Sequence, residues 1–156
     1  MLYQAKNKAV QIGNTVMTYA EFGTGEKNLI MIPGLGDGLR TDRKLAYMYA
    51  ILYGKFAKDY KVYVFSQKTK MPDRYSTGKM AWDIKEAMDT LGIEQADVIG
   101  VSLGGMIAQH LAADYPEVVR KLVLVVTSAR RNQYIQACIS SWIEMAKRGD
   151  YRKLML

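Results

Sequence analysis

Gly100-Val101-Ser102-Leu103-Gly104 stands between an apolar run at residues 96–99 and a helix-patterned stretch at 106–113. A strand, one sharp turn and a helix put a serine where it can act as a nucleophile. Such a turn is so tight that the residues two before and two after the serine must lack bulk. The serine is forced into a strained backbone conformation, with its hydroxyl exposed above the sheet. Gly105 adds room for the helix to approach the strand. The alternative is a solvent-facing serine in an ordinary turn, and the flanking elements argue against it.

Acyl transfer from this serine needs donors aimed at the oxygen that becomes negative in the tetrahedral intermediate. The apolar run 28–32 leads directly into Pro33-Gly34-Leu35-Gly36-Asp37-Gly38, and glycines there let backbone N–H groups point inward. Leu35 and Leu103 are the expected donors, through their N–H groups, while Gly34, Gly36, Gly100, Gly104 and Gly105 give the space. Read alone, the loop is a plain turn; its pairing with the serine turn gives it a role. Its glycines follow G-x-G-x-G rather than the dinucleotide fingerprint, and a nucleotide stays the alternative ligand.

The two motifs, in this order, resemble those of the α/β-hydrolase family. Its first loop commonly reads His-Gly before the oxyanion residue, where this chain has Pro33-Gly34-Leu35. Its nucleophile turn commonly reads Gly-His-Ser-Met-Gly-Gly, where this chain has Gly100-Val101-Ser102-Leu103-Gly104-Gly105. Residues 83–93 resemble the helix before that turn, and residues 115–125 the strand after it, so the likeness runs from about residue 8 to 128. The resemblance implies an α/β fold: a mostly parallel sheet with helices on both faces, here incomplete at its C-terminal side. It also implies a serine hydrolase acting on a small ester, lactone or thioester, with no cofactor.

In that family the serine is followed along the chain by an acid and then by a histidine that takes its proton. The chain has one histidine, His110, eight positions beyond Ser102 on the same predicted helix. At about 1.5 Å rise per residue its backbone lies roughly 12 Å along the axis, too far for the base. It reads instead as a structural side chain on a packed helix. The end of the strand after the turn, residues 126–131, carries no carboxylate where the family places one. The expectation is therefore an N-terminal portion: residues 1–128 as part of the hydrolase core and 129–156 as the start of a lid. Acid and histidine would come from residues beyond 156 or from a second chain. A catalytically silent fragment, or a small-molecule-binding module of the same fold, is the rival reading.

Composition sets the outer bounds. With 49% hydrophobic and 24% charged residues in 156, the chain has the balance of a single globular domain. A net charge of +7 raises nucleic acid as a partner. Yet the lysines are spread along the chain, with local clusters only at 129–132 and 146–148, so a solvated basic surface is expected and nucleic acid is not. Cys138, the one cysteine, cannot form an internal disulfide, fits a reducing compartment and is read as packing. One histidine and one cysteine assemble no metal site. The first eight residues lack a signal peptide's apolar core and no run approaches a membrane span, which makes a cytoplasmic location the expectation.

Several elements must position these groups. Residues 9–12 and 16–22 alternate as strands around Gly13-Asn14, a hairpin signal. Leu45, Tyr49, Leu52 and Phe56 fall at helical spacing within 43–56, and 61–65 reads as the next strand. A loop over 66–75 follows, with Lys68, Lys70, Asp73 and Arg74 expected in solvent. Met80, Met88, Met106 and Met145 are read as core filler. A helical pattern occupies 134–147. In a truncated sheet the strand 121–126 becomes an edge, and pairing with a second copy or a C-terminal fragment is expected there.

Overall fold

The computed structural model describes residues 2–35, 45–130 and 132–154, and of Leu154 only the backbone. After a 3-10 turn at Leu2–Gln4 come two strands, β1 (Lys6–Ile12) and β2 (Thr15–Phe22), joined at the expected Gly13-Asn14 turn. Then follow β3 (Lys27–Ile32), α1 (Ala46–Leu52), β4 (Tyr60–Lys68), α2 (Thr77–Thr90), β5 (Ala96–Val101) and α3 (Leu103–Asp114). Last come β6 (Val119–Val125), α4 (Gln133–Lys147) and the short α5 (Tyr151–Leu154). The sheet order is β1-β2-β4-β3-β5-β6. β1/β2 and β2/β4 pair antiparallel, while β4/β3, β3/β5 and β5/β6 pair parallel.

The sheet is buried on both faces at its centre because β3 and β4 are apolar at consecutive positions, the pattern of a strand covered on two sides. Ile30, Ile32, Tyr63 and Phe65 face α2 and α3, packing on Ile84, Met88, Ile107 and Leu111. Leu29, Met31, Val62 and Val64 face the opposite way, onto Ala46, Tyr49 and Ala50 of α1. Parallel strands run to one end of the sheet, so Ile32, Lys68, Val101 and Val125 all finish at the same edge. That edge carries the serine turn.

At the opposite end a polar chain fixes strand register. β6 has one residue more than β5 between the pairs Ala96–Val119 and Asp97–Lys121, and the extra residue is Arg120. Its Nε donates to Asp97 Oδ1 at 2.7 Å, and Tyr60 Oη donates to Oδ2 at 2.9 Å. The Arg120 hydrogen bond holds the Asp97 carboxyl below the ordinary carboxylate range, against the burial that would raise it.

Several expectations are corrected by these elements. The helix expected over 43–56 is helical only at Ala46–Leu52, with Gly54–Phe56 forming a separate 3-10 turn; residues 43 and 44 lie outside the described residues. The helix recognised at 83–93 begins six residues earlier, at Thr77, because Ser76 caps it by accepting from the Lys79 N–H. Pro116–Val118 is a 3-10 turn, so the following strand begins at Val119 and ends at Val125 rather than Val126. Val126 turns out of the sheet at φ 45°. Cys138, read as packing, is exposed, as is the whole of α4 apart from half-buried Ile135 and Met145.

Candidate active site

Ser102 is the single residue between the last of β5 and the first of α3, with φ 52° and ψ −116°. Reversing a strand into a helix over one residue demands a positive φ, and a non-glycine residue adopts it only when its surroundings impose it. Those surroundings supply four hydrogen bonds to its backbone. The Ser102 N–H donates to the Val125 carbonyl at 2.9 Å, and its own carbonyl accepts from Gly105 N–H at 3.0 Å and Met106 N–H at 3.3 Å. Thr127 Oγ1 donates to that carbonyl at 2.8 Å. The side chain makes no capping bond to α3 and the residue is exposed. Backbone strain is thus held by contacts to the main chain while the hydroxyl stays free for other work.

The glycines are required by close approach. A Cβ at Gly100 would lie 2.7 Å from the Ala108 methyl, and one at Gly104 would overlap the Ile32 carbonyl. One at Gly105 would meet Thr127 Cβ at 2.5 Å. Gly34 packs on the serine itself, a Cβ there standing 3.3 Å from Ser102 Cβ. The structure therefore brings the β3 loop against the serine turn. Leu103, first in α3, has no intrahelical partner for its N–H, which lies at the positive end of the helix dipole. Leu35 follows Gly34 and is exposed; Gly36 lies outside the described residues.

His110 is not brought to Ser102. Its side chain, half-exposed rather than packed, sits two turns along α3 with Nδ1 3.6 Å from Asp114 Oδ2 and beside Gly78 of α2. A cavity of about 470 Å³ opens along this face of α3, starting at Leu103 and including His110 but not Ser102. Met106, expected in the core, forms part of its wall. Among the described residues, no group of three or more His, Cys, Asp and Glu could hold a metal ion. No helix among them is long and apolar enough to cross a membrane.

The loop expected over 66–75 begins only after Lys68, the last residue of β4. Lys70, Asp73 and Arg74 are exposed, but Lys68 is not in solvent: its ammonium is 3.1 Å from Asp83 Oδ1 and 4.1 Å above the Tyr75 ring. Tyr75 Oη donates to the same carboxylate oxygen at 2.9 Å. Burial works against the Lys68 charge, yet the hydrogen bonds to Tyr75 and Asp83 outweigh it and raise the pKa above the ordinary lysine value. Burial also raises the Tyr75 phenol, with Asp83 adding to it. The cluster is a charged strut tying the strand edge to α2.

Two residues of the site were passed over in the sequence. Thr127 holds the serine carbonyl, and Gln109 Nε2 donates to the Gly105 carbonyl at 3.1 Å and the Ser128 carbonyl at 3.4 Å, tying the segment after β6 to α3. Beyond the basic cluster at 129–132 and the lack of a carboxylate, residues 126–131 offer no signal. Only the expectation that β6 ends beside the serine turn could have marked Thr127.

A family model described as "alpha/beta hydrolase fold" matches residues 27–148. Epoxide hydrolase 1 of Caenorhabditis elegans is 27% identical over 142 residues, covering 90% of this chain and 35% of that protein. Homoserine O-acetyltransferase of Thermus thermophilus is 50% identical over 50 residues, 32% of this chain and 13% of that one. The solved structure of an alpha/beta hydrolase fold protein from Chitinophaga pinensis superposes with a TM-score of 0.75 at 21% identity, covering 94% of this chain and 53% of that chain. The chain thus spans about a third of the first of these relatives and about half of the solved structure.

Proposed function

Because the chain belongs to the alpha/beta hydrolase fold family, we infer that it is the nucleophile-bearing portion of a serine hydrolase acting on a carboxylic ester, lactone or thioester. Ser102 Oγ attacks the substrate carbonyl, and the N–H groups of Leu103 and Leu35 receive the negative oxygen. The observation that carries this reading is the backbone of Ser102: strained at φ 52°, held by four hydrogen bonds, with its hydroxyl exposed and uncommitted. A serine serving only as a helix cap would turn its oxygen back onto α3. Gly34 against Ser102 supports the placing of the β3 loop beside the reacting atoms.

The proton acceptor and its orienting carboxylate are supplied outside these 156 residues. His110, the chain's one histidine, is committed to the α2 side of α3. That same fact favours a second reading, a binding module that holds a small carbonyl compound at the turn without turnover.

A reactive fluorophosphonate, with imidazole added as the proton acceptor that these residues do not supply, tests the first reading. Peptide mapping after labelling is expected to find the adduct on Ser102 ahead of the chain's other serines, and none there in Ser102→Ala. Adducts spread over several serines without preference for Ser102 would overturn it. Without a base, turnover of an activated ester by the chain alone is expected to be very weak and barely altered by Ser102→Ala, since what remains comes from oxyanion binding. An ordinary enzymatic rate, abolished by that substitution, would show that the base lies within the chain.

A further inference from the structure

The cavity beside the serine turn has a composition of its own. One stripe of α3 forms its floor: Leu103, Met106, His110 and Ala113, at successive spacings of three and four residues. Ile135 and Ile139, one turn apart on α4, and Thr77 at the start of α2 also line it. The connection from β6 to α4 contributes Ser128, Ala129 and Arg130, and it is tied to α3 through Gln109. At about 470 Å³ the space is that of a small-molecule site rather than a packing gap. Its lining includes Arg130, which is exposed and whose backbone carbonyl accepts from Ser128 Oγ at 2.7 Å, and no aspartate or glutamate; Asp114 Oδ2 lies 3.6 Å from His110 Nδ1. Apolar side chains make up most of the wall.

We propose that this cavity binds the aliphatic arm of the substrate when that arm ends in a carboxylate, with Arg130 receiving the anion and Leu103, Met106, Ile135 and Ile139 receiving the chain. The cavity's lining includes Leu103, the residue after Ser102, so the space adjoins the serine turn. The role as a substrate arm rests on the reading of Ser102 as nucleophile; the binding of an aliphatic carboxylate does not. An arginine is suited to this because its fork donates to both carboxylate oxygens, and half-exposed apolar walls add contact without a second charge to satisfy.

The experiment is a calorimetric or NMR titration of the whole chain with hexanoate and, in parallel, hexan-1-ol, which keeps the chain and lacks the anion. Hexanoate is expected to bind saturably and about tenfold tighter than the alcohol, the difference a charge-assisted hydrogen bond makes. Arg130→Gln is expected to remove that difference while leaving the alcohol unchanged, and Ile139→Trp, which fills the space, to remove both. Equal binding of acid and alcohol by the unsubstituted chain, or an Arg130→Gln chain that still prefers the acid, would overturn the proposal. The comparison of the two ligands needs no variant, so it decides the matter even where a variant fails to fold. Ser102→Ala should bind hexanoate as before. Fluorophosphonate labelling of Ser102 without hexanoate binding therefore rejects the cavity and keeps the nucleophile; binding without labelling does the reverse.

Discussion

At the scale of single residues, the requirements of the serine turn are steric. Glycines two before and two after a serine have few other reasons to occur between an apolar run and a helix, and each glycine proves to face an atom that a methyl group would strike. The strain at Ser102 gives a measurable stability effect. A glycine adopts φ 52° freely, so Ser102→Gly is expected to stabilise the chain by about 1–2 kcal/mol in urea unfolding, while abolishing any chemistry at that position. An unchanged or lower midpoint would mean that the conformation costs nothing. Lys68 departs from the expectation of a solvated loop charge because its partner, Asp83, lies fifteen residues on and on another element, where no local pattern points to it. Asp83 is 3% exposed, and taking away its cation leaves a buried carboxylate without its ion pair. Lys68→Met is accordingly expected to cost about 1–3 kcal/mol, read as a lowered urea midpoint, with Lys68→Arg recovering part of it.

The elements were readable to the extent that their faces repeat. Consecutive apolar runs at 29–32 and 62–65 announced strands covered on both sides, and they are. Their ends were less readable, since caps and strand exits depend on single contacts: Ser76 on Lys79 N–H starts α2, and the φ of 45° at Val126 ends β6. The register of β5 against β6 is likewise set by one pair that no periodicity reveals, Asp97 with Arg120 in the position that β5 does not match. Asp97 has a folded pKa below its unfolded value of 3.8. Its contribution to stability is therefore fully present above that unfolded value and is lost as pH falls through the folded one. Replacing it by Asn removes a proton-linked term, so Asp97→Asn is expected to be less stable than the parent at neutral pH and to lose less on acidification. Urea midpoints from about pH 6 down to about pH 3 check this; parallel curves for the two proteins would assign the acid sensitivity elsewhere.

For the whole molecule the decisive feature is that the sheet stops at β6. Strands β3, β4 and β5 each have a neighbour on both sides, whereas β6 pairs only with β5. Leu122, Val123, Leu124 and Val125 are 37%, 50%, 43% and 38% exposed, on a strand whose outer N–H and C=O groups face no other strand among the described residues. The run of branched apolar residues with Lys121 alone at its start announces this edge, but not that every residue from Arg120 to Val125 is exposed. Covering such an edge takes a further strand or a helix laid against it. The chain by itself has no such cover among its described residues, and natural edge strands of this length and apolarity are guarded by charges, proline or a bulge. Arg120 provides a bulge only at the start of β6, ahead of the apolar residues. Alone in solution the chain is therefore expected to pair through β6 with a second copy, giving at least a dimer by light scattering at micromolar concentration and slow amide exchange at 121–125. Val123→Lys, which places a charge at the middle of the edge, is expected to return it to a monomer with little change in the urea midpoint extrapolated to low protein concentration. A parent chain that scatters as a monomer while those amides exchange freely would show that twist or side-chain cover protects the strand after all.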